Sequence, residues 1–289
     1  MSLIKAEKIS YSYPVYVDEE DESAPRTEQV KAVDNVSLEI EEGQFVCILG
    51  RNGSGKSTFA RHLNALIVPD EGTLWISGMD SRDEKKLWDI RSCVGMVFQN
   101  PDNQIIASVV EEDVAFGPEN IGVEPEQIRK DVKEALDKVG MGAYAKHSPN
   151  KLSGGQKQRT AVAGILAMHP KCIVLDESTS MLDPVGRREV MEAVHKLNRE
   201  RGITVICITH YMDEVIDCDK VFVMADSRVV LSGTPKEVFS DPEKLSSIGL
   251  RLPQVSELAW KLKKAGLDIE DGIIDKEELK EAILKLACR

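Results

Sequence analysis

Phe45-Val46-Cys47-Ile48-Leu49-Gly50-Arg51-Asn52-Gly53-Ser54-Gly55-Lys56-Ser57-Thr58 is the stretch that decides the fold of this chain. Five apolar residues run into a glycine-punctuated turn that fits GxxxxGK[ST] over positions 50–57, and a helical pattern continues from Gly55 to about Leu66. A short, uniformly apolar run reads as a strand covered on both faces. Strand, glycine loop and helix in that order are the context a phosphate cradle requires. Glycines let successive backbone N–H groups turn inward around phosphate oxygens, and the helix N-terminus adds the positive end of its dipole. Lys56 is placed to reach β- and γ-phosphates, and the Ser57 hydroxyl to ligate Mg2+.

Working outward, residues 93–98, 172–175 and 204–208 repeat the apolar, β-branched pattern, and a helix is expected over Pro184–Arg201, opening on proline and ending before Gly202. Strands alternating with helices give an α/β fold with a parallel core sheet. Residues 101–168 show no comparable strand and read as a helical insert; beyond Gly233 the pattern is helical again, ending in 275–286 with Leu279, Ile283 and Leu286 at helical spacing. The acidic, proline-containing segment 18–28 reads as a loop.

The second half of a phosphate site is an apolar strand ending in carboxylates, and Cys172-Ile173-Val174-Leu175-Asp176-Glu177 supplies it. Asp176, at the strand's carboxyl end, is placed to hold Mg2+. Glu177, one residue on, is placed to orient or deprotonate an attacking water. Leu152-Ser153-Gly154-Gly155-Gln156 then opens another helix, making a second anion-binding N-terminus. One nucleotide does not need two cradles. A head-to-tail dimer does, the second cradle of each subunit closing over the nucleotide held by the other.

Composition narrows the class. The chain has 289 residues, a formal charge of −12, 42% apolar and 30% charged residues, which is ordinary for a globular protein and far from the disorder signature. The acidic balance argues against a free-standing nucleic-acid binder. No apolar run approaches the eighteen or so residues needed to span a bilayer, and MSLIKAEKIS lacks the apolar core of a signal peptide, so a cytoplasmic location is expected. The six cysteines form no CxxC pair and are expected as reduced thiols.

In this order the motifs resemble the nucleotide-binding subunits of ATP-binding-cassette transporters. Gln99 resembles the family's Q-loop, Leu152-Ser153-Gly154-Gly155-Gln156 its signature, Ser180-Met181-Leu182-Asp183 its D-loop and His210 its switch histidine. The resemblance implies a phosphate-loop cassette with an antiparallel N-terminal β subdomain, a helical signature subdomain over about 101–168 and a boundary near 245, followed by a helical dimerisation appendix over 246–289. It implies ATP and Mg2+ as cofactors. Tyr13 would stack on adenine, with Tyr11 the alternative. Gly50, Asn52, Gly53, Ser54, Gly55, Lys56, Ser57 and Thr58 would hold the phosphates, Ser57, Gln99 and Asp176 the metal. Glu177 would activate water with Lys56, Gln99 and His210 completing the catalytic set. Ser153, Gly154, Gly155 and Gln156 would serve the partner's ATP, and Asp183 would communicate across the dimer.

Within that family, Val97-Phe98-Gln99-Asn100-Pro101-Asp102-Asn103-Gln104, the run from Val110 to Gly117, Ser178-Thr179-Ser180-Met181-Leu182-Asp183-Pro184 and the tail around Ile248 to Pro253 are similar to the ATPases of energy-coupling factor transporters, most like the first of their two paralogues. The resemblance implies an ATP-hydrolysing motor on the cytoplasmic face of the membrane. Its partners would be a second ATPase (a paralogue or a copy of itself), a transmembrane coupling subunit and a membrane protein that captures a vitamin or a transition-metal ion. Two departures stand out: Ser178 where Ala or Pro is common, and the acidic 18–28 segment. Residues 92–128 carry seven acids and no Lys or Arg, and are expected to receive arginines of the coupling subunit. The alternatives are the ATPase of another importer of the wider family and a soluble cassette protein; the latter carry two cassettes or a long coiled-coil insert, which this chain lacks.

Overall fold

The computed structural model describes residues 2–17 and 26–287. The chain opens with a long hairpin, β1 (Ser2–Val17) against β2 (Arg26–Glu41), then passes through β3 (Phe45–Gly50) into α1 (Lys56–Leu63) and returns along β4 (Glu71–Ile76) and β5 (Met79–Asp80). α2 (Leu87–Cys93) leads to β6 (Val94–Val97), and three helices follow: α3 (Val110–Asn120), α4 (Pro125–Lys138) and α5 (Gly154–Leu166). β7 (Cys172–Asp176), α6 (Pro184–Arg201), β8 (Thr204–Ile208), β9 (Lys220–Ala225) and β10 (Arg228–Gly233) complete the core. α7 (Pro235–Phe239), α8 (Pro242–Ser247), α9 (Gln254–Lys264) and α10 (Lys276–Ala287) end the described chain.

Two sheets result. The core sheet has the order β10-β9-β3-β8-β7-β6, parallel except for the edge strand β10, and the second sheet, β2-β1-β4-β5, is antiparallel. Alternate residues of each core strand enter different hydrophobic clusters. Phe45, Cys47 and Leu49 of β3, Ile173 and Leu175 of β7, and Val205 and Cys207 of β8 face the helices α3–α6. Val46 and Ile48, Cys172 and Val174, and Ile206 and Ile208 face α1 and the antiparallel sheet. Because odd and even positions are both buried, the strands are apolar throughout. The helical insert joins the first cluster through Val110, Val114, Ile128, Val132, Leu136, Val162 and Leu166.

Several expectations shift. The helix after the phosphate loop ends at Leu63, not Leu66, because Asn64 turns its amide to the Val94 carbonyl and Ala65 adopts a left-handed φ of 48°. The strand expected at 93–98 is shorter, Val94–Val97, since Cys93 closes α2. The expected loop 18–28 lies outside the described residues over 18–25, and Arg26 to Glu28 are strand, paired with Val17 to Val15. At the other end, Leu245, Ile248, Leu250 and Leu252 pack into the large core, whereas Ala259, Ile269, Ile273 and Leu279 form a small cluster of their own. Cys47, Cys93, Cys172, Cys207 and Cys218 are free thiols; Cys288 lies outside the described residues.

Candidate nucleotide site

Register sets the site. Ile48 of β3 and Asp176 of β7 are both level with Ile208 of β8, so the phosphate loop, the Asp176–Glu177 pair and the segment carrying His210 all leave the sheet at the same edge. Ligands of open α/β sheets bind in that crevice outside the strands' carboxyl ends. Here it is a cleft of about 470 Å3 lined by Val30, Lys31 and Ala32 of β2, by Asn52, Gly53, Gly55, Lys56, Ser57 and Thr58, and by Gln99 and Glu177.

The loop's geometry suits an anion. Gly55 caps α1 with a left-handed φ of 95°, and no side chain caps the helix, so its first-turn N–H groups are not satisfied by a side chain. The Ser54 hydroxyl is buried and has no hydrogen-bond partner among the described residues. Lys56, only 4% exposed, donates to the Gly50 and Arg51 carbonyls at 3.0 Å each and lies 3.8 Å from Glu177 Oε1. Burial pulls its ammonium below the usual lysine range, against the attraction of Glu177 and Asp176. A phosphate next to it would favour the charged form. Thr58 is anchored from below, its carbonyl accepting from His62 Nδ1 at 2.7 Å; burial drives that imidazole's pKa down to about 4 and keeps it neutral.

The carboxylates divide the opposite task. Ser57 Oγ donates to Asp176 Oδ1 at 2.8 Å. Burial pushes the Asp176 carboxyl above its ordinary range, the Ser57 hydrogen bond pulls it back, and the Glu177 charge adds to the upward push. Arg61 and Lys56 attract its charged form only in part against that burial, and a bound cation would favour the ionised carboxylate further. No cluster of three or more His, Cys, Asp or Glu with metal-binding geometry occurs among the described residues. One carboxylate and one hydroxyl beside a phosphate cradle are the sparse donor set that Mg2+ accepts, since it takes one or two protein oxygens and completes its shell with phosphates and water. Glu177 is held in the left-handed region at φ 48°, its N–H donating to the Ile208 carbonyl at 3.0 Å. A non-glycine residue there stores about 1–3 kcal/mol of strain and marks a site whose surroundings over-determine it.

The remaining motif residues lie elsewhere. Ser153 caps α5 in a reciprocal box, its hydroxyl accepting from Gln156 N–H at 3.3 Å while Gln156 Oε1 accepts from Ser153 N–H at 2.9 Å. Gly154 and Gly155 begin that helix, Gly155 against the backbone of Gly186. None of the four lines the cleft of its own chain. Asp183 caps α6, accepting from Gly186 N–H at 2.6 Å. His210 is exposed, its ring 4.2 Å from that of Tyr211. Tyr13 pairs across the hairpin with the cleft residue Val30 and its hydroxyl meets Arg61 of α1 at 3.5 Å, whereas Tyr11 packs edge-on against buried His62 at 5.2 Å. Sequence reading misses the β2 wall formed by Val30, Lys31 and Ala32, because nothing local ties that strand to the phosphate loop. It also leaves the acids of 92–128 unpaired; Asp102 bonds Lys157, Glu111 bonds Lys146, and Asp113 accepts from the Ile106 and Ala107 amides.

Residues 33–180 match the family model described as "ABC transporter". The chain is 55% identical to the energy-coupling factor transporter ATP-binding protein EcfA1 of Caldanaerobacter subterraneus subsp. tengcongensis over 98% of this chain and 99% of that protein. It is 52% identical to the protein of the same description from Clostridium perfringens, over 99% of each chain. Among solved structures it is similar to cbiO1 of Clostridium perfringens, described as part of the ABC transporter complex cbiONQ, with a TM-score of 0.73 and 37% identity over 89% of this chain and 98% of that one. A dimeric ATP-binding cassette bound to ADP and Pi is similar at a TM-score of 0.68 and 32% identity, over 80% of this chain and 98% of that one. The chain belongs to the ABC transporter family, among the ATP-binding proteins of energy-coupling factor transporters.

Proposed function

We propose that the chain is the ATP-hydrolysing motor subunit of an energy-coupling factor importer, peripheral on the cytoplasmic face of the membrane and driving uptake of a vitamin or transition-metal ion. The observation that carries this reading is the separation of two anion cradles: the loop around Lys56 lines the nucleotide cleft, and the capped N-terminus of α5 at Ser153 does not. Such a chain is complete only as a head-to-tail pair, each Ser153–Gly155 edge serving the nucleotide of the other subunit.

In the reaction, the loop amides and Lys56 hold the β- and γ-phosphates of ATP, and Tyr13 stacks on adenine. Ser57, Asp176 and Gln99 would hold Mg2+, which when bound neutralises charge on the phosphate oxygens. Glu177 orients and deprotonates the attacking water, and His210 holds the γ-phosphate side of that geometry. Most of the acceleration is positioning and charge stabilisation. Exposed Phe98, Ile106 (62%) and Phe116 (49%), beside Glu112 and Glu119, form the face for the arginine-bearing coupling subunit. Residues 1–245 act as the cassette, with Ile248, Leu250 and Leu252 still packed on its core, and the rest of 246–289 acts as a dimerisation appendix, a role supported by exposed Leu258, Leu267, Ile283 and Leu284.

Glu177→Gln tests the reading. Steady-state ATPase activity should fall at least about 100-fold while ATP binding persists. Multiple turnover at the original rate would exclude Glu177 as the base.

A further inference from the structure

The segment after β7 and the segment after β8 are tied together at successive points within one chain. At the base, Glu177 N–H donates to the Ile208 carbonyl at 3.0 Å. Next, Thr179 Oγ1 donates to Glu214 Oε1 at 2.6 Å, both groups buried. Glu214 also lies 4.0 Å from Cys207 Sγ, and its carbonyl accepts from Cys47 Sγ at 3.6 Å. Further out, the Tyr211 hydroxyl reaches the Ser180 carbonyl at 3.4 Å. Beyond that, the Arg187 guanidinium carbon sits 3.3 Å over the Tyr211 ring, and Arg187 Nε is buried without a hydrogen-bond partner among the described residues, so the ring face compensates its charge. The same Tyr211 ring lies 4.2 Å from His210, and its N–H donates to Thr209 Oγ1 at 2.9 Å.

We infer that Tyr211 and Glu214 are positioning residues that clasp the loop carrying Glu177 and Asp183 to the loop carrying His210, so that both close on the nucleotide as one body. Neither residue lines the cleft. A short hydrogen bond to a buried carboxylate is stronger than a neutral one, and losing either partner strands the other in low dielectric. Aromatic and cationic faces stacked on Tyr211 add a second, independent tie. Two ties in parallel mean that loss of one leaves the loops joined, and loss of both lets them move apart. The inference rests on the reading that Glu177 and His210 act at the γ-phosphate.

The test is the MgATP dependence of hydrolysis by the full-length chain co-expressed with its partner subunits, for Thr179→Val, for Tyr211→Leu, which removes both the hydroxyl and the ring face under Arg187, and for the double variant. Each single change should lower kcat about threefold and the pair about thirtyfold or more, beyond the product of the singles, with KM within about twofold of the parent. A double variant that merely multiplies the single effects, or a KM that rises as kcat falls, overturns the clasp. Should the double variant fail to fold, Tyr211→Leu decides: a lowered kcat at unchanged KM supports the clasp, and an unchanged kcat refutes it. Glu177→Gln and His210→Ala run alongside. If those two retain turnover, the reading of the site fails; if they abolish it and the clasp variants leave kcat at the parental value, only the clasp fails.

Discussion

Gly55→Ala and Gly53→Ala, made as a pair, separate backbone strain from steric closure of the phosphate loop. Both glycines are left-handed, with φ of 95° and 82°. A Cβ on Gly53 meets nothing within 4 Å, so Gly53→Ala carries only the left-handed penalty of about 1–2 kcal/mol, less about 0.5 kcal/mol for the stiffer unfolded chain. A Cβ on Gly55 would stand 2.1 Å from the Ala32 carbonyl oxygen, where an ordinary C···O contact is about 3.3 Å, so the backbone must yield by more than about 1 Å. Overpacking of that kind adds about 1–3 kcal/mol, giving about 2–4 kcal/mol in total. At about 2 °C per kcal/mol for a chain of this size, Gly53→Ala should melt about 2 °C below the parent and Gly55→Ala about 4–8 °C below. Ala32 is part of the cleft wall, so the same displacement reaches the nucleotide. The ATP concentration for half-maximal thermal stabilisation should rise about tenfold for Gly55→Ala, equivalent to about 1.4 kcal/mol. Equal melting temperatures for the two variants, or a Gly55→Ala protein with parental ATP affinity, would refute the reasoning.

The acidic face answers to charge reversal: Glu112→Lys with Glu119→Lys should abolish co-purification with the coupling subunit at low salt, whereas Glu111→Lys first breaks its own pair with Lys146. Unchanged co-purification would place the partner elsewhere. Tyr13→Ala should raise the KM for ATP by about tenfold, in line with about 1–3 kcal/mol per stacked base, and Tyr11→Ala should lower stability instead, because that ring packs on buried His62; the reverse outcome would exchange their roles. Asp176 gives a pH signature. Its folded pKa is raised, so its contribution to the stability of the nucleotide-free protein is fully present below the unfolded value and is lost as pH rises through the folded one. Mg2+ requires the ionised form, so the Mg2+-dependent part of nucleotide stabilisation, measured against nucleotide with EDTA, should weaken as pH falls toward that raised pKa. A Mg2+ effect that persists down to the ordinary aspartate range would count against Asp176 as ligand.

The features legible in the amino-acid sequence are those that short-range physics dictates. Helix α6 runs over Pro184–Arg201 as its proline start and Gly202 stop imply, and Asp183 and a left-handed Gly202 cap it. Strands β3, β7 and β8 are plain because both of their faces are buried. The hairpin β1–β2 is not, since its register shifts repeatedly and its alternation is broken, and β9 and β10 sit beside a polar turn at Asp226 and Ser227, both left-handed.

By itself, then, the sequence determined which backbone could wrap a phosphate, which strand could end in paired carboxylates, and which helix could present a second cradle. Each depends on φ preferences, missing side chains and apolar periodicity within a dozen or so neighbours. Tertiary structure alone decided that Ala32 closes against Gly55, that Ser57 meets Asp176, that Glu111 is spoken for by Lys146, and that Thr179 and Ser180 are held by Glu214 and Tyr211. Those partners lie tens of residues apart in the chain, and only the packing of strands, loops and helical insert into one fold brings them into contact.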